Sequence, residues 1–212
     1  SLHLFEQCVK NNVKKVIFIS SGGTVYGNPV KLPINETHPT EPLNSYGIIK
    51  LTIEKYLSLY KSQKGLDYKV LRFSNPFGER QNPLLSQGLI THMLYRIKKN
   101  KPLEIWGNGN ITRDYFYIKD GARSIYRAII DRSGNSIYNI SSGKGLSINQ
   151  ILNKFKNKLM LKFKVRYMES RRFDVRTNIL DNRLAAKYLN WTPETEFDLG
   201  LENTWRYILD NY

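Results

Sequence analysis

One cysteine, Cys8, stands in 212 residues. An internal disulfide is therefore excluded, and such sparing use fits a reducing compartment, so a cytoplasmic location is expected. Long apolar runs are missing as well. None approaches the roughly 18 residues that a membrane-crossing helix needs, and no membrane partner is expected. The opening stretch, Ser1 to Cys8, lacks the basic start and long apolar run of a signal peptide. It also lacks an initiator Met and opens inside a helical pattern, a first sign that the chain is a piece of something longer. Acidic charge is scarce: 18 Asp and Glu face 33 Lys and Arg, for a net charge of +15. Such a surplus suits nucleic acid, a membrane surface or a phosphorylated substrate. The basic residues are scattered, however. The densest stretch, Lys154 to Lys164, mixes Lys with Leu, Met and Phe and adjoins no aromatic stacking platform, so nucleic acid is not the expected partner.

What is present reads as alternating strands and helices. Leu2, Leu4, Phe5, Cys8 and Val9 fall at helical spacing. Lys15 to Ser20 is a near-continuous apolar run that suits a strand of a parallel sheet covered on both faces. A glycine-rich turn, Ser21 to Gly27, follows at its C-terminal end, where open α/β sheets bind ligands. Residues 28–43 carry four prolines and read as loop. A helix from Tyr46 to about Lys64 and a strand from Tyr68 to Phe73 complete a βαβ unit. Past Pro76 the pattern changes. A helix is expected over 86–99, strands over 103–106, 114–118 and 136–140, and a helix between the last two. Ser147 with Gln150 forms a capping box that opens another helix. A half-exposed strand over 163–167, a short helix capped by Asp181 and a last helix carrying Leu201, Trp205, Ile208 and Leu209 close the chain.

Tyr46 and Lys50 are four apart, so on a helix they share one face. An ammonium beside a phenol favours the phenolate and lowers the tyrosine pKa from about 10, which makes a base. The spacing alone is common here, since Tyr60–Lys64, Tyr95–Lys99 and Tyr115–Lys119 share it. Tyr46 differs in its surroundings. Thr24 lies on the loop after one strand and Tyr46 at the start of the next helix, so both face the same sheet edge. A hydroxyl beside a phenolate and a lysine suits proton removal from an alcohol, and a nicotinamide nearby would make that an oxidation.

Six motifs stand in order: Ser20-Ser-Gly-Gly-Thr-Val-Tyr-Gly27, Tyr46-Gly-Ile-Ile-Lys50, Arg72-Phe-Ser-Asn-Pro-Phe-Gly78, Trp106-Gly-Asn-Gly109, Thr112-Arg-Asp-Tyr-Phe-Tyr-Ile-Lys-Asp120 and Leu189-Asn-Trp-Thr-Pro193. Together they resemble the extended short-chain dehydrogenase/reductase superfamily. The best match is its NAD-dependent epimerase/dehydratase family, in the UDP-glucose 4-epimerase-like branch. The resemblance implies NAD as cofactor and a UDP-linked hexose or N-acetylhexosamine as substrate, in surface polysaccharide synthesis. It also implies a homodimer for the intact protein. It assigns Tyr46 as the base at the sugar 4-hydroxyl, Lys50 as the ligand of the nicotinamide ribose that lowers the Tyr46 pKa, and Thr24 as the hydroxyl that relays the proton. Ser20 and Phe73 fall with Tyr46 and Lys50 on the cofactor side. Asn75, Leu89, Arg113, Arg171 and Asp174 fall on the nucleotide-sugar side, where a planar guanidinium at Arg113 pairs with diphosphate oxygens.

Two departures bear on this. The loop over Gly22, Gly23 and Thr24 carries no carboxylate, which a 4,6-dehydratase of the family needs, so epimerisation is preferred. The best-known epimerases carry a serine where Gly22 stands, and the hydroxyl role then falls on Thr24. More is missing at the start. The family opens with a strand, a Gly-x-x-Gly-x-x-Gly turn and a helix that binds the NAD pyrophosphate, and no such motif occurs in the sequence. The expected fold is α/β, a Rossmann-type parallel sheet lacking its N-terminal strands, with a smaller α+β substrate-binding lobe. Residues 1–80 would be the back half of the NAD-binding domain and 81–212 the substrate lobe, with part of 115–142 a candidate to return to the sheet. The strand near Val16 would keep an unpaired edge, and the 212 residues alone should show little or no epimerase activity. The alternatives are a dehydratase, reductase or decarboxylase of the same family, or an inactive remnant that needs a missing N-terminal part.

Overall fold

The structure is a computed structural model that describes residues 1–85, 87–170 and 175–212. Helix α1 (Leu2–Lys10) leads into strand β1 (Lys15–Ser21), whose Val and Ile residues suit a covered sheet. Helix α2 (Ser45–Lys64) begins where the Asn44 side chain accepts the Gly47 N–H at 2.8 Å and stops at Gly65. Strand β2 (Asp67–Phe73) then pairs parallel with β1, with Ser20 opposite Arg72. The expected βαβ unit is therefore present.

Strand β3 (Asn75–Phe77), helix α3 (Leu89–Lys98), β4 (Leu103–Trp106) and β5 (Thr112–Tyr117) follow. Helix α4 (Ile118–Ile130) leads to β6 (Ile137–Ile140), β7 (Gly145–Ser147) and helix α5 (Ile148–Asn157). Strands β8 (Val165–Met168) and β9 (Thr177–Asn178) and helices α6 (Arg183–Leu189) and α7 (Phe197–Asn211) complete the chain. Among the described residues the main sheet runs β1-β2-β6, all parallel, so β1 has a partner on one side only. A second sheet is centred on β5. Its C-terminal half pairs with β3, while its N-terminal half lies between antiparallel β7 and parallel β9. Strands β4 and β8 pair apart from these.

Side chains of β2 alternate between two cores, as the period of a strand requires. Tyr68 and Val70 join Phe5 of α1 and Leu57 of α2 on one face. Leu71 and Phe73 join Ala128 of α4, Ala185 of α6 and Trp191 on the other. A third core is built from Ile90 and Leu94 of α3, Ile105 of β4, Phe155 of α5 and Ile208 of α7. It stands beside the main sheet, and the cleft between them holds the candidate site.

Several boundaries differ from the sequence reading. Helix α3 begins at Leu89 instead of 86, because Gly88 at its cap has a left-handed backbone. Strand β8 begins at Val165 instead of Phe163, whose ring packs on Phe155 with centroids 6.2 Å apart. Helix α6 takes Asn182, not Asp181, as its cap residue, although the Asp181 carboxylate accepts the Arg183 N–H at 3.0 Å. The capping box of Ser147 and Gln150 is present at the start of α5.

Candidate active site

A cavity of about 650 Å³ opens at the C-terminal ends of β1 and β2. One wall carries Ser20, Thr24, Tyr46, Lys50 and Phe73, and the opposite wall Leu89, Trp106 and Arg113. Asn75 lies between them, at the start of β3. Eight of the ten residues singled out in the sequence thus line one space. The other two, Arg171 and Asp174, lie outside the described residues.

Tyr46 stands at the first turn of α2 because the Asn44 cap starts the helix there. Its distance from the Thr24 loop is set by Gly47. A methyl at Gly47 would lie 2.8 Å from the Thr24 carbonyl oxygen and 2.9 Å from Pro42. Only a residue without a side chain lets the helix start come this close. The hydroxyl of Thr24 is buried and, among the described residues, has no hydrogen-bond partner. A buried hydroxyl without a partner is costly, and one that lines a cavity is set to receive a polar ligand atom. Gly22, two residues earlier, has no room for a side chain. A Cβ there would run into the Leu180 side chain and lie 3.2 Å from the Arg72 carbonyl oxygen. A serine therefore does not fit at position 22 as the chain is packed, which leaves Thr24 as the hydroxyl residue of positions 22–24 on the cavity wall.

Lys50 lies one turn below Tyr46. Its ammonium donates to the Ile19 carbonyl at 2.7 Å and stands 4.9 Å from the Phe18 ring centroid and 5.5 Å from that of Tyr46. Burial lowers the Lys50 pKa, and the Glu54 carboxylate one turn further on opposes that fall. Burial raises the Tyr46 phenol above its ordinary value. In this arrangement burial sets the direction for Tyr46, and the Lys50 ammonium is engaged by the Ile19 carbonyl.

Below Lys50 lies a buried polar network. Arg72 holds Glu54 through Nη2 at 2.6 Å and through Nε at 3.2 Å to both oxygens. The Ser20 hydroxyl donates to the same carboxylate. Arg72 also donates to the Tyr26 hydroxyl at 2.9 Å, which donates to Asn139 at 2.7 Å. The Ser20 hydroxyl is thus turned toward Glu54, although the residue lines the cavity.

On the far wall Arg113 donates to the carbonyls of Thr112 at 3.0 Å and Val175 at 2.6 Å, which fix its guanidinium at the cavity. Asp114 beside it is not a surface group. It is fully buried and accepts from Ser142 N at 2.8 Å, Ser142 Oγ at 2.7 Å, Gly143 N at 3.0 Å and Leu180 N at 3.4 Å. Burial pushes it up to about 6 against those donors, which favour the carboxylate. Asn75 is a strand residue, not a turn residue, and its Nδ2 donates to the Asp114 carbonyl at 2.9 Å.

The sequence reading gave no role to Trp106, His92 or Gln81, which also line the cavity. For Trp106 the signal was present, since an aromatic at the end of a strand offers a flat face for a planar ring. It likewise missed the Glu54–Arg72 pair. The spacing of Lys50 and Glu54 was visible, but the partner on β2 comes only from the fold.

The fold is similar to that of known proteins. A UDP-glucose 4-epimerase from Thermotoga maritima, crystallised with UDP-glucose, is 35% identical and superposes with a TM-score of 0.94 over 99% of this chain and 68% of that one. A Thermus thermophilus UDP-glucose 4-epimerase in complex with NAD is 29% identical, with a TM-score of 0.90 over 100% of this chain and 69% of that one. An Escherichia coli dTDP-4-dehydro-6-deoxyglucose reductase is 31% identical over 198 residues, 93% of this chain and 62% of the relative. The chain thus spans roughly two thirds of the length of these proteins. The model of the NAD dependent epimerase/dehydratase family matches residues 1–141, and the chain belongs to that family.

Proposed function

We propose that the chain carries the proton-transfer and nucleotide-sugar-binding part of an NAD-dependent 4-epimerase of UDP-linked hexoses or N-acetylhexosamines. The observation that carries this reading is the Thr24 hydroxyl, buried and without a partner among the described residues, on the cavity that Tyr46, Lys50 and Arg113 also line.

The donor set fits the nicotinamide end of the cofactor: Lys50 and Tyr46 would hold the ribose, with Ser20 and Phe73 beside them. When bound, NAD supplies reversible hydride exchange at the sugar carbon. The chain's own residues handle the proton. Thr24 accepts and passes on a hydrogen bond at the sugar 4-oxygen, and Tyr46 takes its proton and later returns one. The phenol reaches its base form as the Lys50 ammonium turns from the Ile19 carbonyl toward the ring, because an adjacent cation favours phenolate. Arg113 pairs with the diphosphate, Asn75 bonds its sugar side, and Leu89 and Trp106 offer apolar contact to the nucleoside.

Division at about residue 80 into a cofactor domain and a substrate lobe follows the same reading, with β6 returned to the main sheet. So do a cytoplasmic location, supported by the single cysteine, and a role in polysaccharide synthesis, which rests on the nucleotide-sugar chemistry. A homodimer is supported by the exposed Ile48, Ile49 and Tyr56 on α2. The test is calorimetric titration of the 212-residue chain with UDP-glucose, UDP-N-acetylglucosamine and glucose 1-phosphate. Saturable binding of the UDP-sugars, lost in Arg113→Ala, is expected. Equal indifference to all three would remove the reading.

A further inference from the structure

The network below Lys50 is not required by the chemistry assigned to Tyr46, Lys50 and Thr24, and it is costly to bury. Glu54 and Arg72 have side chains only 3% and 4% exposed. A buried ion pair is often no more stable than a well-packed apolar pair of the same size, so stability alone is a weak reason for it. Its position suggests another. Tyr46, Lys50 and Glu54 are spaced by four along α2 and form one stripe that descends from the cavity into the interior. Arg72 meets the bottom of that stripe from β2, opposite Ser20 of β1. With Tyr46 as phenolate, the charges alternate in sign along the stripe: phenolate, ammonium, carboxylate, guanidinium.

We propose that Glu54 is a positioning residue for Lys50. Clamped by Arg72 and Ser20, its carboxylate keeps the ammonium charged where it stands, between the Ile19 carbonyl and the Tyr46 ring. This rests on the reading of Tyr46 and Lys50 as the acid–base couple. The physical need is plain. Lys50 sits where burial disfavours its charge, and a neutral lysine would do nothing for a phenolate. The charged and titratable groups that face Lys50 on its own helix are Tyr46 and Glu54, and Arg72 of β2 holds Glu54 from the other side. β1 presents the Ile19 carbonyl, the Ser20 hydroxyl and the Phe18 ring. Glu54 is the anion of this set, and the bidentate grip of Arg72 together with the Ser20 hydroxyl leaves its carboxylate little freedom to turn away.

The test is the pKa of Lys50 in the 212-residue chain without substrate, read by NMR of the lysine Cε and Nζ nuclei across pH. In Glu54→Gln, which keeps the shape and removes the charge, the Lys50 pKa is expected to fall by about one unit or more below its value in the unaltered chain. A merely structural Glu54 gives the opposite sign. Loosening of the helix would admit water and move Lys50 up toward about 10.4. A rise, or no change, overturns the proposal. If Glu54→Gln does not fold, Glu54→Asp decides by the same signs, because its carboxylate is withdrawn by one methylene from both Lys50 and Arg72. The readout needs no turnover, so failure of the epimerase reading and failure of this coupling are separate results.

Discussion

The backbone of Gly47 approaches the carbonyl of Thr24 so closely that a methyl group at Gly47 would lie 2.8 Å from that oxygen. This contact fixes the start of α2 against the glycine-rich loop and so sets the spacing of Tyr46 and Thr24. Two effects compete in Gly47→Ala. Alanine is the better helix former by about 1 kcal/mol, but the clash is with backbone, which cannot swing away. The clash should win, with a loss of stability of about 1–3 kcal/mol in urea unfolding and weaker UDP-sugar binding by titration. A stabilised Gly47→Ala with unchanged binding would show that the approach is looser than described.

Gly22 gives a sharper case, because its obstacle is a side chain. Gly22→Ser runs into Leu180, which is fully buried, and should cost about 1–3 kcal/mol. Gly22→Ser combined with Leu180→Ala should cost less than the sum of the two single changes, since the serine fills space that the truncated leucine vacates. Additive costs in a double-mutant cycle would place the serine elsewhere.

Arg113 is held at the cavity by the carbonyls of Thr112 and Val175. Lysine keeps the charge but not the planar fork that grips two oxygens and the two carbonyls together. Arg113→Lys should weaken UDP-sugar binding about tenfold, roughly 1.4 kcal/mol, with little change in melting temperature. Equal affinity in Arg113→Lys would reduce the role of Arg113 to bulk charge.

Asp131 and Lys69 form a buried ion pair at 2.6 Å, away from the cavity, at the end of α4. Burial by itself would raise the Asp131 pKa. The Lys69, Ser133 and Tyr138 donors outweigh it and hold the carboxyl at about 2, below its ordinary 3.8. The folded pKa is depressed, so its contribution is present above about 4 and is lost as pH falls through about 2. By linkage that contribution is about 2 kcal/mol. Asp131→Asn should therefore be less stable at pH 7 by at least about this amount, since Lys69 is also left unpaired. The gap should close as pH falls toward 2. A gap that does not vary with pH in denaturant melts would contradict the assignment.

Sequence patterns made the framework legible where the pattern is local. The apolar run of β1 and the Ser147 cap each act within a few residues, and the elements stand where they put them. Strands β3, β7 and β9 were not legible. They are two or three residues long, and their register is supplied by β5, not by their own propensity. In the site, residues tied to motifs came together on one cavity. The Glu54–Arg72 clamp did not declare itself, because its partners are 18 residues apart and meet only once β2 pairs with β1. The hydroxyl assignment could be made from the lack of a side chain at Gly22, but its physical reason, the Leu180 side chain, lies far along the chain.

The most direct test of the site is product analysis on the complete gene product with a panel of UDP-sugars, comparing Tyr46→Phe with the unaltered protein. The C4 epimer should form in the unaltered protein. Tyr46→Phe should lower its rate by about 100-fold to 10,000-fold, the range for loss of a general base, with UDP-sugar affinity within about threefold. Rapid epimerisation by Tyr46→Phe, or products of water loss or net reduction in place of the C4 epimer, would contradict the reading.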